Sequence, residues 1–455
     1  MTGRAWGVIL LLALAIVAGT AIWLRCEGVP PVVDAPDSLA VGQAGVRVTL
    51  AASDRRSGIR SLRVGLRHAG GEISLAEMQR PGNPLMGASE RPMPALEIEL
   101  DPEALGLRDG DAFLVVEAVD WSAANLLRGN TTRLELPVRV DTQPPRVAIQ
   151  TGLTYVRPGG TGAVVYRLSE ASSRDGVKVG ERFHRGYPHP ATRAADAEAE
   201  PGLRIALFAL PREADGDTSI RVVAEDAAGN RAEAGWATRL RERRFDEVPI
   251  HLSRSFLEGK VAALAAELGV EAEGPLEAFQ IINRDVRAAN EARIRELTAD
   301  SAPEPLWRGA FEQMRNSAVT SRFAEHRRYL VDGRQVSEAI HYGYDLASTA
   351  GAPIEAANAG RVVFAGSLGI YGHCVLLDHG LGLYSLYGHL ASLEVSEDQA
   401  VAKGQRLGLS GETGLAGGDH LHFAILVGDT YVDPKEWWDP KWVREKIASR
   451  LAREP

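Results

Sequence analysis

The sequence predicts a mainly β protein made of several units, and three observations carry that prediction. Short stretches of alternating apolar and polar residues recur from residue 30 to residue 240, punctuated by Gly, Asp and Asn. Glycine-ended strands return from about Leu306, and residues 251–299 between them switch to helical apolar spacing. A chain of 455 residues is also too long for one ordinary core. With 45% hydrophobic and 24% charged residues most of it should fold, and a net charge of −9 argues against a nucleic-acid binder, which would show a basic face.

The first element, within residues 1–29, is "WGVILLLALAIVAGTAIWL", an apolar run over residues 6–24. Its length suits a bilayer crossing. Arg4 and the free amino terminus place the N-terminus in the cytoplasm by the positive-inside rule. The expectation is a single-pass anchor in a bacterial inner membrane, with the bulk of the chain periplasmic. A cleaved signal peptide competes with it, although the run is long for one and no small-x-small site follows. Arg25 before Cys26 does not suit a lipoprotein signal. Cys26 and Cys374 are the two cysteines and fall in different units, so no disulfide framework is expected. Cys374 reads as a buried apolar residue.

Residues 30–142 and 143–240 read as two β-sandwich modules. "VRVTLAA", "SLRVGLR", "ALEIEL", "FLVVEAVD" and "RLELPVRV" are strands of the first. A weak repeat links the modules: "LVVEAVDWSAAN", ending at Asn125, and "RVVAEDAAGN", ending at Asn230. Each sets an alternating strand before Asp, small residues and Asn, which suits a turn with side chain-to-backbone bonds. "VDTQPP", ending at Pro145, reads as the joint between them. The pair resembles bacterial immunoglobulin-like repeats, which implies a spacer or a cell-wall attachment, with a passive stalk as the plainer reading.

Residues 241–305 form a helical connector. Ser253 suits a helix cap, and Phe279, Ile282, Val286 and Ile294 make a rough apolar stripe. Residues 306–440 return to β with "RVVFAG", "CVLLDHG", "GLYSLYGHL", "QRLGLSG" and "HLHFAILVG", and residues 441–455 end the chain in a short helix.

Chemistry concentrates in that last β unit. Six of the eleven histidines fall between His341 and His422, where uniform scatter gives about two, an enrichment that points to a metal or acid–base site. His341 stands in "HYGYD", His389 in "LYGHL", and His420 and His422 in "GDHLHFAI". A hydrolytic zinc keeps three protein ligands and one open position, and further imidazoles can move protons. Residues two apart on a strand point to one side, so spacing alone does not say which of His420 and His422 would bind the metal. His373 and His379 match no motif position. His379 reads as a structural hydrogen bonder, His373 as a groove or solvent residue, and His326 as surface. Tyr371, Tyr384 and Tyr387 read as core or groove residues.

"HYGYDLAS", "LYGHL" and "GETGLAGGDHLHF" are similar, in that order, to the His-x-x-x-Asp, His-Leu and His-x-His motifs of lysostaphin-type zinc metallopeptidases. The resemblance covers about residues 320–440. It implies a small open antiparallel β fold (the duplicated hybrid motif) with a groove across one sheet. It further implies one zinc ion held by His341, Asp345 and His422, with His389 and His420 as the catalytic pair. The implied substrate is a stem-peptide cross-link of peptidoglycan, cut in cell-wall remodelling. Many members continue the last motif with Glu, whereas this chain has Ala424, which bears on the support of the site rather than on its ligands. A non-catalytic wall module that activates a separate amidase is the alternative, but such relatives have lost metal ligands, and all three stand here.

Overall fold

In the computed structural model, residues 2–84, 86–89, 93–193 and 202–452 are described. The chain divides into two compact units, Met1–Pro144 with Glu225–Arg231, and Pro145–Ala224 with Ala232–Pro455.

The first unit opens with the helix Thr2–Arg25. Ala21, Ile22 and Leu24, which the expected anchor included, lie outside the described side chains. Among the described residues no helix is long and apolar enough to cross a membrane. The expected single-pass anchor, its inner-membrane partner and the periplasmic placement derived from it are corrected accordingly.

Two sheets follow. Val32–Asp34, Val46–Ser53 and Leu96–Leu100 form one. Leu39–Val41, Thr131–Val140, Gly110–Asp120, Ile59–His68 and Gly71–Gln79 form the other, in that order. Alternation does what the pattern asks: along Val46–Ser53, Val48, Leu50 and Ala52 are buried. Leu50 and Leu100 of one sheet share a core with Leu62, Leu66 and Leu114 of the other. The repeated Asp–Asn turn is present, with one correction. Asn230 donates from its side chain to Asp226 Oδ2 and to the Asp141 carbonyl, at 2.8 and 2.7 Å. In the earlier copy Asn130, not Asn125, does this work, donating to Asp120 Oδ2 and to the Glu27 carbonyl at 2.9 Å each. The insertion "LLRG" between the two asparagines displaced the repeat from its apparent position.

In the second unit, Val147–Ile149, Thr161–Leu168, Leu203–Ala209 and Tyr187–Pro188 form a sheet in that order. The strand Leu203–Ala209, "LRIALFA", is buried on both faces from Ile205 onward. Ala206 and Phe208 pack into the core of this sheet. Ile205, Leu207 and Ala209 pack into a larger core that continues to Tyr384, Ile425 and Trp437. Period-2 alternation thus ties this β region to the C-terminal one. Polar bonds complete the tie: Arg157 Nε and the Thr161 amide donate to the two oxygens of Glu436 at 2.8 Å each, and Trp437 Nε1 donates to Thr161 Oγ1 at 3.1 Å.

The connector is helical, and Ser253 caps it by accepting from the Phe256 amide at 3.1 Å. Helical turns run over residues 254–268 and 275–297, broken at Gly269, whose φ of +66° favours glycine. The apolar stripe is not a free face: Phe279, Ile282 and Ile294 are buried in the same core as the C-terminal sheet, and Phe279 meets Tyr329 edge-on at 5.0 Å. Cutting the chain near Pro303 would therefore open the core rather than release a spacer.

The C-terminal sheet is antiparallel, in the order Ala318–Ser321, Tyr344–Ala347, Leu421–Val427, Leu383–Leu390, His373–Gly380, Gly360–Ser367 and Ala400–Val401, with Thr430–Val432 paired to Leu421–Val427. A hairpin, Glu325–Val331 with Arg334–His341, delivers His341 at its end.

Candidate active site

Strand register brings the motifs together. Asp345 lies opposite His422 on neighbouring strands, and Gly388, next to His389, lies opposite His422 on the other side. His341 arrives four residues before Asp345, at the end of the hairpin. His341 Nε2 lies 2.9 Å from Asp345 Oδ1 and 3.1 Å from His422 Nδ1, and His422 Nδ1 lies 3.0 Å from the same oxygen. All three residues are buried. His341, Asp345 and His422 form one group able to hold a metal ion. Their spacing approaches the ~3.3 Å edge of a tetrahedron with metal–nitrogen bonds of ~2.0–2.1 Å, and two imidazoles with one carboxylate are a zinc donor set. The residues therefore fit the metal.

Hydrogen bonds at the far side of each ring set which nitrogen is presented. The His341 Nδ1–H donates to the Arg322 carbonyl at 2.9 Å, which leaves Nε2 with its lone pair toward Asp345. The Nδ1–H of His389 donates to the Thr413 carbonyl at 2.9 Å and that of His420 to the Gly418 carbonyl at 2.8 Å, so both present Nε2. The two rings are 4.8 Å apart. His420 Nε2 stands 3.6 Å from Asp345 Oδ1, outside the tighter triad. His389 has a φ of +66°, an unusual conformation for a side chain-bearing residue and of the strained kind that gathers at functional sites. His422 Nε2 is buried and has no hydrogen-bond partner among the described residues.

Electrostatics separate the imidazoles. Burial pushes His422 down to about 4 and holds His389 well below its ordinary value, in the latter case aided by the neighbouring imidazoles. Burial also acts against the His420 cation, but the hydrogen bond and charge of Asp345 outweigh it and raise that ring. Burial would raise Asp345, yet the charge and hydrogen bond of His341 hold it well below the carboxylate range.

These groups line a cavity of about 490 Å³. Its other wall comes from the connector and its approach, with Leu252, Phe256, Phe279 and Arg287. His251 also lines this cavity, whereas His326, His373 and His379 are not among its lining residues. His379 bonds the Ala359 carbonyl and Ser385 Oγ, each at 2.7 Å, in a structural role. His326 pairs with Glu338 on the hairpin at 3.2 Å. The His373 amide bonds Thr413 Oγ1. Cys374 is fully buried, as expected.

Two contributors escaped the motif reading. Arg327 Nη2 donates to Asp345 Oδ2 at 2.7 Å, from a hairpin that carries no signal of its own. Gly343 sits inside "HYGYD", and a Cβ there would meet His422 Cε1 at 2.5 Å. Tyr371, read from the sequence as a core or groove residue, is buried in the cavity lining and donates to Glu291 of the connector at 2.8 Å.

Residues 339–434, which enclose all five predicted site residues, match the family described as Peptidase family M23. Peptidoglycan DD-endopeptidase ShyB of Vibrio cholerae is 31% identical over 157 residues, 34% of this chain and 36% of that protein. Peptidoglycan DD-endopeptidase ShyA of the same species is 28% identical over 189 residues, 41% of each chain. Among solved structures, the catalytic domain of lysostaphin from Staphylococcus simulans is 26% identical, with 29% of this chain and 98% of that one covered at a TM-score of 0.25. The chain spans about two fifths of the length of these curated relatives. Over residues 339–434, this chain carries a domain of peptidase family M23.

Proposed function

We propose that the chain is a zinc metalloendopeptidase that hydrolyses peptide cross-links of peptidoglycan. The observation that carries the reading is the convergence of His341 Nε2, Asp345 Oδ1 and His422 Nδ1 within 3.1 Å of one another, beside two imidazoles, His389 and His420, whose Nδ1 atoms are taken up by carbonyls. In this reading His341, Asp345 and His422 are the zinc ligands, and His389 and His420 the catalytic pair. The names of the relatives favour a DD-peptide bond as the one cut.

When bound, zinc supplies Lewis acidity to water and to the scissile carbonyl. The chain's own residues do the rest. The cavity wall orients an extended peptide across the sheet. His389, kept neutral by burial, offers Nε2 as the base that takes a proton as water attacks the carbonyl carbon. His420, the more basic ring, returns a proton to the amine nitrogen as the C–N bond breaks. Arg327 keeps Asp345 Oδ2 occupied so that Oδ1 faces the ligand set.

The domain bounds belong to the same proposal. The β regions before residue 240 are read as immunoglobulin-like modules that space or attach the enzyme, and the connector as a wall of the groove. The test is digestion of purified peptidoglycan with the zinc-loaded protein, and identification of new termini by mass spectrometry. Release of fragments with new D-amino-acid carboxyl termini supports the reading. Intact peptidoglycan under conditions where zinc is bound contradicts it.

A further inference from the structure

A second carboxylate cluster lies far in sequence from the peptidase domain, within the first unit. Glu27, Asp54 and Asp120 each offer one oxygen, and these lie within 4.8 Å of one another. Glu27 is the informative member. Its side chain is 3% exposed, and both its carboxylate oxygens are buried with no hydrogen-bond partner among the described residues. Its nearest cation, Arg56 Nε, stands 3.6 Å away on a side chain that is 74% exposed. A carboxylate buried without hydrogen bonds beside two others is strongly disfavoured unless a cation joins them.

The fold aims this group deliberately. Ser122 Oγ and Asn130 Nδ2 donate to the Glu27 carbonyl at 3.0 and 2.9 Å, which pins the segment that carries the side chain. Asp54 Oδ1 takes the Ser57 and Gly58 amides at 2.6 and 2.7 Å. Asp120 Oδ1 takes the Ser122 and Asn130 amides at 2.9 and 2.7 Å. The loops thus hold both aspartates by backbone donors, while the Glu27 carboxylate reaches them with no hydrogen bond of its own among the described residues.

We propose that Glu27, Asp54 and Asp120 form a binding site for one calcium ion. The donors are all oxygen, which selects a hard cation over zinc, and three carboxylates completed by carbonyls and water suit calcium better than magnesium, which keeps more of its water. The ion would tie the chain at residue 27 to the loops at 54–58 and 120–130, and so fix how the first β unit begins. None of its residues belongs to the zinc site, so the proposal stands apart from the peptidase reading.

The test uses the full-length, zinc-loaded protein freed of calcium. Titration with calcium chloride by calorimetry should give one site per chain with Kd of ~10⁻⁵ to 10⁻³ M. Terbium should bind there and emit on tryptophan excitation, because Trp121 adjoins Asp120. Glu27→Gln should weaken calcium at least ~10-fold, since it removes a charged ligand, and should keep bound zinc and the far-ultraviolet spectrum. Asp54→Asn is the second variant should Glu27→Gln misfold. The proposal is overturned if the wild-type protein takes up no calcium at about 10 mM, well above that range, or if a folded Glu27→Gln or Asp54→Asn variant binds it as tightly as wild type.

Discussion

Arg327 Nη2 donates a 2.7 Å hydrogen bond to Asp345 Oδ2, and this leaves Asp345 Oδ1 alone to face His341 and His422. The arginine is largely buried, and its Nε has no hydrogen-bond partner among the described residues. It fixes which oxygen of the carboxylate is offered. Arg327→Ala should weaken zinc binding by ~10–100-fold, the usual scale for groups that orient a metal ligand, and Arg327→Lys should recover part of the loss. Competition against a chromophoric chelator measures both. Unchanged zinc affinity in Arg327→Ala would reduce the ion pair to a support for the hairpin.

Gly343 makes a similar case without charge. A Cβ at this position would lie 2.5 Å from His422 Cε1 and 2.7 Å from Nε2. The Phe423 carbonyl oxygen lies 2.8 Å from the same Cβ, so the strain falls on backbone as well as on the buried His422 ring. Gly343→Ala should therefore lose zinc although every ligand is present, while its circular dichroism stays native. Full zinc content in the variant would show that the ring can move aside.

Arg157 and Glu436 join the second β region to the C-terminal one by a 2.8 Å ion pair. Burial pushes Glu436 up to about 7, and the charge of Arg157 acts against that rise. Arg157→Ala should destabilise the protein by about 2–3 kcal/mol at pH 8, below the full cost of breaking a buried pair because Arg157 is 38% exposed. The pH dependence has a definite sign. A carboxyl whose folded pKa lies above its unfolded value of about 4.5 binds its proton more tightly when folded, so its contribution is present below pH 4.5 and is lost as pH rises through about 7. Without Arg157 the folded value rises further. The difference between variant and wild type in urea denaturation should shrink from pH 8 to pH 5. A difference that grows toward pH 5 would contradict this.

The site was legible because its chemistry is written locally. His420 and His422 share one side of a strand by alternation, and the His-x-x-x-Asp spacing sets His341 and Asp345 on either side of a glycine turn. Arg327 was not legible, because nothing in "EHRRYL" says which arginine a hairpin will turn inward. The connector's helices were legible from their apolar spacing, but a stripe such as Phe279, Ile282 and Ile294 names no partner. That it packs into the peptidase core is a long-range fact. The same limit hid the double role of Leu203–Ala209, whose continuous apolar run shows only that both faces are buried. The Asp–Asn repeat was read as a turn and placed one asparagine too early. The calcium-type cluster escaped, because Glu27 lies nearly a hundred residues from Asp120.

The assignment of roles within "GDHLHFAI" is the centre of the account, and one paired measurement tests it most directly. His422 Nδ1 lies 3.0 Å from Asp345 Oδ1, whereas His420 Nε2 lies 3.6 Å from it and faces His389. Zinc content by plasma mass spectrometry and release of peptidoglycan fragments should be measured on His422→Ala and His420→Ala together. His422→Ala should lose most bound zinc together with activity. His420→Ala should keep its zinc and lose turnover by ~100-fold or more, the scale of a proton-transfer group. A His420→Ala protein as depleted of zinc as His422→Ala would make His420 a ligand and contradict the open site on which the proposed hydrolysis depends.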